Sequence, residues 1–167
     1  MIEKDIEANI IAAIQALELP GIDIRGAWQT AAAGEVKDTE SDFAPAALFV
    51  HVGPRSFETF GVGVCSMDVA LSLAVRIDLC PTGDALETYA GPIADLLQTW
   101  NLTMDCDHPC GMAVEGEFAP GGLQVSGGSG PRIDRDAGVW SIVFNFTLRG
   151  AIVPASPTSS QTTQTED

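Results

Sequence analysis

The feature that most constrains this chain is an unbroken apolar alternation. From Met67 to Leu79 every odd position is apolar: Met67, Val69, Leu71, Leu73, Val75, Ile77 and Leu79. Between them stand Asp68, Ala70, Ser72, Ala74, Arg76 and Asp78. Period two is the signature of a strand with one buried and one open face. At about 3.3 Å per residue such a strand reaches roughly 40 Å, well beyond the usual five or six residues. We expect it to overshoot a compact core at one end and to need a partner there. A second alternation follows near the C-terminus, where Trp140, Ile142, Phe144, Phe146 and Leu148 interleave with Ser141, Val143, Asn145, Thr147 and Arg149.

At 167 residues with 46% hydrophobic side chains, the chain has material for one domain with a real core, expected over residues 1–153. A net charge of −15 with only eight Lys and Arg argues against gripping nucleic acid, because each phosphate contact needs a cation. It is compatible with lining a passage through which DNA slides. The apolar residues fall in periodic patterns, not in a run of about 20 that would span a membrane. The start, MIEKDIEANI, lacks the basic-then-apolar order of a secretory signal. Cys65, Cys80, Cys106 and Cys110 are therefore expected to stay reduced in a cytoplasm.

Around the alternating strands the remaining elements read off in order. Residues 2–17 predict an amphipathic helix with Ile2, Ile6, Ile10, Ile14 and Leu17 inward and Glu3, Lys4, Glu7 and Gln15 outward, stopped by Pro20-Gly21. A strand follows with Ile22, Ile24 and Trp28 on one face and Asp23, Arg25 and Gln29 on the other; residues 30–45 read as a loop. Ala46–Val52 reads as a strand, and Arg55–Val64 as a hairpin connection. Asp84 with Glu87 resembles a capping box opening a second helix that carries Leu86, Tyr89, Ile93, Leu96, Leu97 and Trp100, with Gly91-Pro92 expected to kink or delay it. Residues 101–122 read as irregular, and 123–138 as a flexible glycine-rich hairpin loop around a short strand, Leu123–Val125. The tail 154–167 has no large apolar residue and is expected to be held by another subunit. The fold class expected is α+β: a mostly antiparallel sheet with long strands, an N-terminal amphipathic helix, and a second helix packed on the sheet.

The one cluster with metal-ligating character is Asp105-Cys106-Asp107-His108-Pro109-Cys110. Its C-x₃-C spacing has no second half, which zinc sites require, so it reads as an acidic loop with a buried thiol. Cys106 and His108 stand too close in sequence to meet as nucleophile and base, and His51 sits alone on a strand beside Phe49. Gly121-Gly122, Gly127-Gly128 and Gly130 lack the Lys-Ser/Thr of a phosphate loop. We expect no catalytic, cofactor or metal residue, and no enzyme. Phe57 and Phe60, flanked by Gly61 and Gly63, are either a partner's anchor or core aromatics. The candidate interface residues are Arg55, Phe57, Phe60, Met67, Arg132 and Arg135.

The order of elements, Ile2–Leu17, Ile22–Gln29, Ala46–Val52, Met67–Leu79, Leu86–Trp100 and Val139–Arg149, resembles that of the tail terminator proteins of long-tailed bacteriophages, the lambda-type minor tail protein U family. The likeness runs over about residues 2–153 and includes the stretches Arg76–Asp84 and Trp140–Gly150. The glycine-rich segment 111–138 and the Ser/Thr/Gln tail depart from the simplest members. The resemblance implies a homo-oligomeric, hexameric ring in the virion, assembled in the host cytoplasm, that ends tail-tube polymerisation and offers a joining surface to the head. Its implied partners are copies of itself, the tail tube protein and a head–tail connector or neck protein, with DNA passing through unbound and no membrane. A connector or other neck or tail-completion protein is the alternative it leaves, and a small metal-binding enzyme using residues 105–110 the remoter one.

Overall fold

The structure is a computed structural model, and it describes residues 1–33, 45–57, 63–78, 82, 84–103, 114 and 116–152. Its elements are α1 (Ile2–Gln15), β1 (Ile22–Gly26), α2 (Ala27–Ala33), β2 (Ala46–Val52), β3 (Ser56–Phe57), β4 (Val64–Arg76), α3 (Asp84–Thr103), β5 (Phe118–Asp134) and β6 (Val139–Ile152). The strands form one sheet in the order β1-β2-β4-β6-β5, with β3 also paired to β4. Only β1 and β2 run parallel. The chain is thus α+β with a mainly antiparallel sheet.

Register decides which face is core. Val69, Leu71, Leu73 and Val75 of β4 stand opposite Val52, Val50, Leu48 and Ala46 of β2, and opposite Phe146, Phe144, Ile142 and Trp140 of β6. From Cys65 to Val75 every odd residue of β4 is at most 2% exposed, as the alternation requires. Isoleucines 2, 6, 10, 11 and 14 of α1 and Leu86, Tyr89, Ile93, Leu97 and Trp100 of α3 join the same core. The Trp100 ring meets Phe146 edge-on at 6.2 Å, and the Tyr89 hydroxyl donates to the Pro20 carbonyl at 2.7 Å. Both helices therefore cover one face of the sheet, and among the described residues no helix covers the other.

Four sequence expectations are corrected. The long strand does not overhang: β6 pairs with it from Val64 to Arg76, while β3 and β2 occupy its other side at Cys65–Ser66 and Val69–Val75. Its length is used inside the chain, because β6 matches it with 14 residues. The glycine-rich stretch is a 17-residue edge strand, β5, which stays in register with β6 through irregularities at Pro120/Gly122, Val125/Gly127 and Ser129/Arg132. At Gly128 a Cβ would overlap the Val143 carbonyl, so close approach of the two backbones requires glycine there. Ala27–Ala33 is a helix, not strand and loop. Finally, Gly91-Pro92 does not delay the start of α3, which begins at Asp84 and continues past Pro92, because Tyr89, Ile93, Leu97 and Trp100 bury a continuous face that outweighs the local proline penalty.

Candidate functional site

Helix α1 was expected to present Glu3 and Glu7 to solvent, yet they are only 5% and 0% exposed. Each has found donors that make burial of a carboxylate tolerable. Glu7 accepts the Trp28 main-chain N–H with both oxygens, at 3.0 and 3.1 Å, and the Gln29 N–H at 3.2 Å. These N–H groups belong to the first turn of α2, so a side chain from another helix supplies the cap that this turn needs. Gly26 leaves the space, since a Cβ there would overlap the Glu7 carboxylate. Trp28 then donates its indole N–H to the Val52 carbonyl at 2.9 Å, tying α2 to the end of β2.

Glu3, one turn earlier, holds the opposite junction. Its Oε1 accepts the Arg55 Nε at 2.7 Å and the Arg55 main-chain N–H at 3.3 Å. Burial pushes the Glu3 carboxyl up, but its own main-chain N–H and the Arg55 donors and charge outweigh this and hold it below the usual carboxylate range. Its Oε2 is buried without a hydrogen-bond partner. Just before this pair, the Gly53 N–H donates to the Asp68 carbonyl at 2.8 Å. Just after it comes β3, where Phe57 stands opposite Cys65 and is 65% exposed. Cys65 itself is fully buried, and burial pushes its thiol up, with Arg55 pulling the other way and Glu3 adding to the rise.

The second group lies at the far end of the sheet. Arg132 stands opposite Ser141, Arg135 lies in the turn after β5, and both are exposed. Asp134 shapes that turn by accepting the Asp136 and Ala137 N–H groups at 3.1 and 3.0 Å. Through β6, Arg132 is level with Ala74 of β4, whereas Phe57 is level with Cys65. That is about 30 Å of strand, so the candidate residues form two separate groups. Met67 belongs to neither: at 1% exposure it is a core residue on the helix side, where its odd position in the alternation puts it. Phe60 lies outside the described residues, as do Cys80, the 105–110 cluster and the tail.

Large apolar side chains are also exposed in the stretch that the sequence reads as a glycine-rich loop around the short strand Leu123–Val125. Val125 is 50% and Ile133 45% exposed on β5, opposite Phe146 and Trp140 on the helix side of the sheet. Their alternation is broken by the intervening glycines and bulges, which hid them. The burial of Glu3 and Glu7 did leave a trace: with Ile11 and Ile14 they form a line at helical spacing, which widens the isoleucine stripe.

The open face is polar and mixed in charge. Arg25 pairs with Asp23 and lies over the Phe49 ring at 5.9 Å, and Thr147 donates to Asp68 at 2.7 Å. His51 is exposed on this face, opposite Ala70 of β4. Among the described residues no three His, Cys, Asp or Glu side chains group closely enough to hold a metal ion. Among them, too, no helix is long and apolar enough to cross a membrane. No protein-family model matches this chain, and no curated protein matches it significantly in sequence.

Proposed function

We propose that this chain is a structural virion protein, a tail terminator that forms a ring at the head-proximal end of a phage tail tube. The observation that carries the reading is the placement of exposed apolar side chains at two non-equivalent positions. Phe57 sits on β3, in the β2 column of the sheet, and Val125 and Ile133 sit on β5, three strand positions away. At about 4.8 Å per strand the columns are roughly 14 Å apart. A knob on one side and a different apolar patch on the other suit head-to-tail contact between copies, and such contacts make a ring when the rotation closes. Growth by continuing the sheet is disfavoured, because β5 is an edge strand interrupted by bulges.

The sequence's resemblance to tail terminators is what supports that ring's role: covering the last tube ring, stopping polymerisation, and presenting a different surface to the head. The candidate residues at opposite ends of the sheet suit a subunit with two unlike neighbours along an axis. Particles assembled without this protein should carry abnormally long tails or tails unjoined to heads. Normal tails on normal heads in its absence would end this reading.

A further inference from the structure

We infer that Glu3 is a positioning residue for the Phe57 contact, fixing the anchor before a second copy of the chain arrives; the inference rests on the reading that Phe57 lies between copies. Strand β3 is only two residues long, and Phe57 and Ser56 pair with Cys65 and Ser66 alone. A strand that short holds an exposed aromatic weakly. What fixes its direction lies upstream, at Arg55, whose main-chain N–H and Nε both donate to the same Glu3 oxygen. The tie spans 52 residues of sequence and joins the first turn of α1 to the residue two before the anchor.

The choice of residue supports a positioning role. An apolar side chain at this place in the isoleucine stripe would bury without needing a partner, and a buried ion pair is by itself a poor source of stability. A carboxylate does what an apolar group cannot: it holds a main-chain N–H and a guanidinium at once, and so restricts the backbone entering β3. An anchor already held in its bound direction loses less freedom on association, so affinity rises without Glu3 touching the partner. Removing that restriction should weaken association by about threefold to tenfold.

The test is a double-mutant cycle on the full chain, with Glu3→Gln, Phe57→Ala and their combination. Ring assembly is followed by sedimentation and negative-stain imaging, with the protein alone and on tail tubes lacking it, and read as the concentration for half-assembly. Phe57→Ala should weaken assembly with an unchanged melting temperature. Glu3→Gln should weaken it about threefold to tenfold when Phe57 is present and have no further effect when Phe57 is already Ala. An equal effect in both backgrounds, or none in either, would overturn the positioning role while leaving the Phe57 contact standing. Undiminished assembly of Phe57→Ala would instead overturn the contact and the inference with it. Should Glu3→Gln not fold, Arg55→Lys, which keeps the charge but loses the Nε donor, takes its place in the same cycle with the same outcomes.

Discussion

Replacing Glu7 by Ala tests whether a buried carboxylate on one helix really caps another. The side chain is 0% exposed and accepts N–H groups from Trp28 and Gln29. Truncation strands both donors in a partly buried place, at about 1–3 kcal/mol each. Because water can reach part of this turn, a total of about 2–4 kcal/mol is expected. For a chain of this size that is a fall of about 5–15 °C in melting temperature. Glu7→Gln keeps one acceptor oxygen for the Trp28 and Gln29 N–H groups but loses the charge and turns the second acceptor into an NH2 donor, so about 1–2 kcal/mol is expected. Gly26→Ala supplies an independent check, since its Cβ would overlap both the Glu7 carboxylate and the Ile11 side chain. Deleting the carboxylate removes the worse of those overlaps, so the Glu7→Ala, Gly26→Ala double variant should lose less than the sum of the singles. Urea and thermal unfolding measure all four proteins. A Glu7→Ala melting point within about 2 °C of the parent, or strict additivity with Gly26→Ala, would refute the cap.

Arg55→Met should cost about 1–3 kcal/mol near neutral pH, less than a fully buried broken pair costs because Arg55 is partly exposed. Glu3 has its folded pKa below the usual 4.5, so its contribution is present above that value and lost as pH falls through the folded one. Without Arg55, burial dominates and the Glu3 pKa rises, so the gap between parent and variant should narrow in acid; a gap independent of pH would contradict this. Leu73→Asp should unfold the domain, because Leu73 is 1% exposed and an unpaired buried carboxylate costs several kcal/mol against about 5–15 of total stability; native melting of this variant would contradict the assigned face. Cys65 should resist alkylation at neutral pH until urea opens the sheet, as read by peptide mass spectrometry, and rapid labelling of the native chain would show that its burial is wrong.

The parts of this fold legible in sequence were those with an unmixed period. Ile2, Ile6, Ile10 and Ile14 repeat every four residues, and Met67–Val75 alternates without a fault, so one helix, one strand and their buried faces followed directly. What failed had a tertiary cause. Strand β5 lost its period to its glycines, of which Gly128 is demanded by a backbone contact with Val143, and to bulges that shift its register. Helix α2 has almost no amphipathic signal in AWQTAAA, and its start is stabilised by Glu7, some 20 positions earlier. Glu3 and Glu7 looked solvated because a carboxylate usually is; only the folded chain brings Arg55 and the Trp28 and Gln29 N–H groups to them. Of the candidate interface, Phe57, Arg132 and Arg135 lie at the surface, whereas Met67 is a core residue, as its odd position in the alternation already indicated.

Those two carboxylates also change what the net charge of −15 means. Composition treats every Asp and Glu as surface charge facing a partner. Glu3 and Glu7 are instead internal clamps, one at the β2–β3 junction and one at the start of α2, on successive turns of α1. Between these junctions runs β2, whose last carbonyl, at Val52, receives the Trp28 indole. Helix α1 thus sets the geometry at both ends of its neighbours, not merely their burial, and its outward side keeps Lys4 beside Asp5. The exposed acidity of the helical layer concentrates on α3, where Asp84, Glu87 and Asp95 face out with no Lys or Arg on that helix. In a ring, like charge of that kind disfavours α3 meeting α3 and favours contact between unlike surfaces. Within the proposed ring, the acidic helix and the separation of Phe57 from Val125 and Ile133 would favour the same head-to-tail arrangement, one through repulsion and the other through the placing of apolar surface.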